Sequence, residues 1–177
     1  MMHQEIILAG FGGQGILSAG RILAYAGMLE NKNVSWLPSY GPEMRGGTAN
    51  CHVIVSEDTI GSPILNNATS LIVMNGPSLE KFEDMVTSGG LIISDSTLVE
   101  KEPNRKDVDV CCVPATKAAF DMGNPTFANI ILLGKLIAKT NIISKDNFAE
   151  ALKKILPEKK HHLIPEELKA LEYGMNY

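Results

Sequence analysis

Glu5-Ile6-Ile7-Leu8-Ala9-Gly10-Phe11-Gly12-Gly13-Gln14-Gly15-Ile16 is the stretch that decides the fold. An apolar strand, about Glu5–Ala9, runs into a glycine-rich turn, and an apolar segment from Ile16 to Leu29 leaves it as a helix. Without Cβ atoms the turn can take positive φ, and its backbone can approach a ligand closely. The first helical turn has N–H groups without intrahelical partners, and the helix dipole adds partial positive charge there. The element therefore suits an anion, most often a phosphate. Gly10, Gly12 and Gly15 also satisfy the G-x-G-x-x-G spacing of dinucleotide folds. A tight strand–helix turn packed in a core has the same signature, so the glycines alone leave both readings open.

In the helix after the turn, Ala19, Gly20, Ala26 and Gly27 alternate with Ile16, Ile22, Leu23 and Leu29, so one face can sit close against a sheet. Asn31-Lys32-Asn33 turns the chain, and Val34–Leu37 follows as a strand in the βαβ position. The segment Pro38–Gly47 has no helical periodicity, yet Thr48–Ser56 beyond it alternates like a strand. A parallel crossover needs about a dozen or more residues, usually helical, so this strand is predicted antiparallel to its neighbours. Thr59–Ser62 is read as pairing back on it. Leu71–Met74, Leu91–Ser94 and Asp107–Val113 supply further strands, with a helix from Pro77 through Leu79, Phe82 and Val86 and a turn at Gly89-Gly90. A short helix Ala115–Met122 precedes the break at Gly123-Asn124-Pro125. Thr126 is read as the cap of an apolar helix to Lys139, and Ser144 as the cap of another to Leu156. Pro165 opens a last helix, and residues 158–177 are read as either loosely docked or docking on a partner. The whole chain, 1–177, reads as one α/β domain. It is a three-layer α/β/α arrangement with a mixed, mostly parallel sheet and a Rossmann-like βαβ start.

Composition narrows the function. The chain has 45% hydrophobic and 20% charged residues and a net charge of −4, which argues against a general nucleic-acid binder. No apolar run approaches the ~18–20 residues of a membrane-crossing helix, and Met1-Met2-His3-Gln4-Glu5 lacks the basic and apolar pattern of a signal peptide. A cytoplasmic location is the expectation. Cys51, Cys111 and Cys112 form no C-x-x-C pair and read as small hydrophobes in strands. His161 and His162 are adjacent and on a helix would point about 100° apart, which suits a solvated face better than a metal. His52 and Asn129 read as packed polar residues, and Asp95 has no visible catalytic partner. No catalytic residue and no metal ligand is assigned.

Two observations bear on the glycine turn. A dinucleotide site uses an Asp or Glu near the end of the second strand for the ribose hydroxyls, and here that strand ends Leu37-Pro38-Ser39. Binding of NAD or FAD by the isolated chain would be needed to revive a stand-alone nucleotide-binding reading. The second observation is Tyr40-Gly41-Pro42-Glu43-Met44-Arg45-Gly46-Gly47-Thr48, which begins at the same sheet edge. Gly46-Gly47 permits unusual backbone, and Arg45 offers a planar fork for a carboxylate or phosphate. An internal clamp between Glu43 and Arg45 would use the same residues.

The strand–Phe11-Gly12-Gly13-Gln14-Gly15–helix start and the long Pro38–Thr48 stretch resemble the gamma subunit of 2-oxoacid:ferredoxin oxidoreductases. Val113-Pro114-Ala115-Thr116 and Asn129–Gly134 look like that family too, and Glu43–Asn50 looks most like its 2-oxoglutarate members. The resemblance implies oxidative decarboxylation of a 2-oxoacid with coenzyme A, giving an acyl-CoA, carbon dioxide and reduced ferredoxin. The pyruvate and branched-chain enzymes are the alternatives. It implies alpha, beta and probable delta partners that hold thiamine diphosphate, magnesium and iron–sulfur clusters, since this chain has no Gly-Asp-Gly signature and no cluster cysteines. For this chain it implies assembly and coenzyme A contact. The residues are Gly10, Gly12, Gly13, Gln14 and Gly15 with Tyr40, Gly41, Glu43, Arg45, Gly46, Gly47 and Thr48, which either meet coenzyme A phosphates or brace the thiamine-bearing subunits. Without partners the chain is expected to self-associate through exposed apolar surface.

Overall fold

A strand buried on both faces stands at the centre of the sheet. In β1 (His3–Phe11), Ile6, Ile7, Leu8 and Ala9 are at most 1% exposed, the continuous apolar run of a covered strand. The computed structural model describes residues 2–39 and 48–177. Its other strands are β2 (Asn33–Ser39), β3 (Thr48–Ser56), β4 (Ala68–Val73), β5 (Val86–Asp95) and β6 (Asp109–Val113), in the order β2-β3-β1-β4-β5-β6. β1, β4, β5 and β6 are mutually parallel, while β3 runs antiparallel to both β1 and β2. The mixed sheet and the antiparallel third strand agree with the sequence reading.

Residues alternate between two cores. Ile6, Leu8, Cys51, Val53, Val55, Ile72 and Ile93 face α1 (Ile16–Leu29) and the later helices. Ile7, Ala9, Ile54, Leu71, Val73 and Ile92 face α2 (Gly76–Phe82) and irregular segments carrying Leu65 and Val99. The first core is the thicker layer, with α3 (Ala115–Asp121), α4 (Ala128–Thr140), α5 (Lys145–Ile155) and α6 (Ile164–Asn176). α1 lies close to the sheet where its small residues are. A Cβ at Gly20 would stand 2.4 Å from Cys51 Sγ, and one at Gly27 would stand 2.8 Å from Val34 Cγ1.

Several expectations are corrected. β2 is not beside β1, because β3 occupies that position. Both edges of β3 are then filled, and Thr59–Ser62 forms no strand against it. The helix from Gly76 ends at Phe82, and after a 3-10 turn Val86 begins β5. Val86 packs in the second core at 2% exposure, which favours the strand over another helical turn. Gly89-Gly90 lies inside β5 as an irregularity, with Gly89 at φ 77° and its N–H donating to Asp107 O at 2.6 Å. The cap before α4 is Asn124, whose Oδ1 accepts from Thr126 N at 3.1 Å, because a 3-10 turn Pro125–Phe127 precedes the helix. Ser144 caps α5 as read from the sequence, accepting from Asn147 N at 3.2 Å.

The terminal helix is not loosely docked. Ala170 and Leu171 are fully buried, and α6 crosses α4 with backbone against backbone. A Cβ at Gly174 would lie 1.8 Å from Ile131 O, and one at Gly134 would lie 2.1 Å from Leu171 O. Gly174→Ala must therefore push two helices apart. We expect it to cost about 1–3 kcal/mol or more in urea unfolding. Gly61→Ala, at a glycine with nothing within 4 Å, should stay within about 0.5 kcal/mol.

Candidate functional site

The glycine turn leaves β1 at the carboxyl ends of the parallel strands, the edge where open α/β sheets hold ligands. Gly13 at φ 93° and Gly15 at φ 76° supply the left-handed conformations that the reversal into α1 requires. The Gln14 side chain closes the turn from inside. Its Oε1 accepts from Phe11 N at 2.6 Å, and its Nε2 donates to Met74 O at 3.2 Å, just beyond β4. Gly10 leaves room for this, since a Cβ there would stand 2.5 Å from Gln14 Oε1. Asn129, in the first turn of α4, closes it from outside. Its Nδ2 donates to Gln14 O at 3.1 Å and to Gly15 O at 3.2 Å.

The start of α1 is open. Gly15 provides no side-chain cap, and the first turn carries no acidic residue, so the amino-terminal N–H groups and the dipole are not neutralised by a side chain. Gly13 is exposed, and a Cβ there would meet nothing within 4 Å. Beside the turn lies a cavity of about 440 Å³ whose wall includes Gly13–Gly15, Ser18, Thr116, Asn129, Lys160 and Glu167. Thr116 is held by the buried Asp95, which accepts from Thr116 N at 3.1 Å and from Thr97 N at 3.1 Å. Asp95 is thereby a brace between the end of β5 and the start of α3.

Of the residues singled out from the sequence, Gly10, Gly12, Gly13, Gln14 and Gly15 come together in the turn. Gln14 is committed to holding the turn and points inward. Thr48 begins β3 directly opposite Phe11, so that strand starts beside the turn. Tyr40, Gly41, Glu43, Arg45, Gly46 and Gly47 lie outside the described residues. β2 ends and β3 begins at this same edge, with Ser39 paired to Asn50 and Asn50 to Ala9. His52 lies on the Ile54 side of β3 and Cys51 on the opposite side, as alternation predicts. Burial lowers the His52 pKa, and its Nδ1 is buried without a partner among the described residues. His161 is not on a solvated face: it is half-buried, with Nε2 3.0 Å from Leu156 O, whereas His162 is exposed.

Sequence reasoning missed Glu167 and Lys160. Glu167 is 7% exposed and has no hydrogen bond to a described residue, and burial pushes its carboxyl up to about 7. The signal was present: Ile164, Glu167, Leu171 and Gly174 share the buried stripe of α6, so Glu167 is a carboxylate at an apolar position.

The chain belongs to the pyruvate ferredoxin/flavodoxin oxidoreductase family, matching it over residues 5–177. It is 39% identical to the ketoisovalerate oxidoreductase subunit VorA of Methanothermobacter thermautotrophicus, over 98% of this chain and 36% of that one. It is 36% identical to the 2-oxoglutarate synthase subunit KorC of Methanocaldococcus jannaschii, over 89% of this chain and 86% of that one. The chain thus spans about a third of the length of VorA and most of KorC. The structure is similar, at TM-score 0.85 and 29% identity, to the keto/oxoacid ferredoxin oxidoreductase gamma subunit from Geobacter sulfurreducens, covering 99% of this chain and 96% of that one. Among the described residues no helix is long and apolar enough to cross a membrane.

Two outcomes follow from this geometry. Because its folded pKa is raised from 4.5 to about 7, Glu167 makes the folded chain bind more protons than the unfolded one between those values. Stability is then highest below this window and falls as pH rises through it, by on the order of 2–3 kcal/mol. Urea midpoints from pH 4.5 to 8 should show the fall, and Glu167→Gln should flatten it. At the turn, a Cβ on Gly15 would lie 2.2 Å from Asn129 Nδ2, while Gly13 carries only the positive-φ strain. Gly15→Ala should therefore destabilise more than Gly13→Ala, and a double-mutant cycle with Asn129→Ala should recover part of the Gly15→Ala cost.

Proposed function

We propose that the chain is the gamma subunit of a cytoplasmic 2-oxoacid:ferredoxin oxidoreductase, an assembly that turns a 2-oxoacid and coenzyme A into an acyl-CoA, carbon dioxide and reduced ferredoxin. The observation that carries this reading is the near end-to-end likeness to the Geobacter sulfurreducens gamma subunit. In this proposal alpha, beta and delta partners hold the thiamine diphosphate, magnesium and iron–sulfur clusters. Thiamine diphosphate and the clusters supply carbanion and electron-transfer chemistry. The gamma chain contributes binding. The uncapped start of α1 and the open backbone at Gly13 suit a coenzyme A phosphate, and Arg45 has the planar fork that would pair with the same group.

The substrate proposed is 2-oxoglutarate, supported by the match to most of KorC's length. A branched-chain 2-oxoacid is the second reading, favoured by the 39% identity to VorA. Purification from the native cell tests the class: the chain should co-elute with thiamine-containing and iron–sulfur subunits, and elution alone would refute the proposal. Ferredoxin reduction by the assembly should be fastest with 2-oxoglutarate, and a preference for 2-oxoisovalerate would select the second reading. In the same assembly, Arg45→Ala should raise the KM for coenzyme A about ten-fold, the worth of one charge-assisted contact, and Gly13→Ala should raise it by straining and crowding the backbone that meets the phosphate. An unchanged coenzyme A dependence, with subunit association weakened instead, would assign these residues to bracing the partners.

A further inference from the structure

We infer that a pocket between α1, β2 and the end of α5 binds an anion with an aromatic body, its carboxylate or phosphate head met by Arg21 and Lys154 and its ring by Trp36. The pocket shares no lining residue with the cavity beside the glycine turn.

The first observation is geometric. Arg21, Tyr25 and Met28 stand at i, i+4 and i+7 on α1 and so form one stripe along the helix. β2 is an edge strand of the sheet, and Val34 and Trp36 alternate onto the face that α1 covers. Lys154 and Ile155 close the third side from the last turn of α5. The space is about 320 Å³, with Ala24 also on its wall. Adjacent residues divide between the two cavities: Ile22 and Leu156 line the one at the glycine turn, and Arg21 and Ile155 line this one.

The second observation is charge. The chain has a net charge of −4, yet this wall carries two cations and no acid among the described residues. The other described arginine, Arg105, is already engaged: its Nε donates to Asp107 Oδ1 at 2.7 Å and its Nη1 to Glu83 O at 2.9 Å. Arg21 is exposed and makes no ion pair with a described residue, so its planar fork is open to a carboxylate or phosphate.

The third observation is the ring. Trp36 Nε1 is buried beside Gly20 and Cys51, where a Cβ at Gly20 would stand 3.2 Å from it and 2.4 Å from Cys51 Sγ. The indole N–H therefore points into the core, and the partly exposed remainder of the ring is apolar. Tyr25 and Met28, the latter 55% exposed, stand on the facing helix. A thioether and aromatic faces favour an aryl group. A purely apolar ligand would leave both cations unused, and a bare inorganic anion would leave the apolar wall in water.

The chain has one tryptophan, so fluorescence excited selectively at Trp36 reports on this pocket alone. The full chain is titrated with phenylpropionate, with phenylethyl phosphate and with the uncharged phenylpropionamide. We expect saturable quenching by an aryl anion, and the tighter of the two anions identifies the head. The amide should bind at least about ten-fold more weakly, the worth of one charge-assisted contact. Arg21→Gln should weaken the aryl anion about ten-fold and leave the amide within about two-fold, with urea unfolding to establish that this surface variant is folded. Equal binding of anion and amide, no quenching by any probe, or unaltered anion binding in Arg21→Gln overturns the inference. Trp36 emission that changes with protein concentration and ignores all three probes also overturns it, and assigns this face to a second copy of the chain.

Discussion

One side-chain amide holds the working edge of the molecule together. Asn129 Nδ2 bridges the Gln14 and Gly15 carbonyls, and so ties the turn that ends β1 to the first turn of α4, more than a hundred residues later in the chain. The turn is made of residues with little side chain to anchor it. Without external donors its backbone would be free to sample the conformations that glycine allows. Gln14 supplies the inner bonds and Asn129 the outer ones, leaving the exposed backbone at Gly13 and the open helix start as the parts free to meet a ligand. The same two bonds determine which way Asn129 Oδ1 faces.

Close approach is the other recurrent constraint. α1 reaches the sheet at Gly20 and Gly27, and α6 reaches α4 at Gly134 and Gly174. The second contact is backbone against backbone, which is why the last helix is part of the core. That docking brings Glu167 to the cavity wall and strips its water away, and the loss of solvation raises its pKa. A carboxyl that would be ordinary on a solvated helix holds its proton to higher pH because two glycines let its helix come close.

Much of the fold was readable before the structure. The span of α1, the antiparallel direction of β3, the apolar α4 and the Ser144 cap all follow from periodicity, crossover length and cap chemistry. The misreadings share a physical origin. Val86 continues a helical stripe as well as it begins a strand, and only its place in the second core separates the two. Thr59–Ser62 has strand composition, but whether a strand forms depends on a free edge, and β1 and β2 had taken both edges of β3. The candidate site was legible in part. The glycines and Gln14 lie in one contiguous stretch with a recognisable spacing, whereas Asn129 and Glu167 come from two distant helices.

By itself the sequence determined the family, the βαβ start and the location of the anion-suited turn, because those depend on residues close together in the chain and on the backbone freedom of particular glycines. Only the tertiary structure decided that Gln14 points inward, that Asn129 grips the turn, and that the terminal helix carries a buried acid to the same cavity. These depend on which elements touch. Burial and hydrogen-bond direction arise at such contacts, and no spacing within a single segment encodes them.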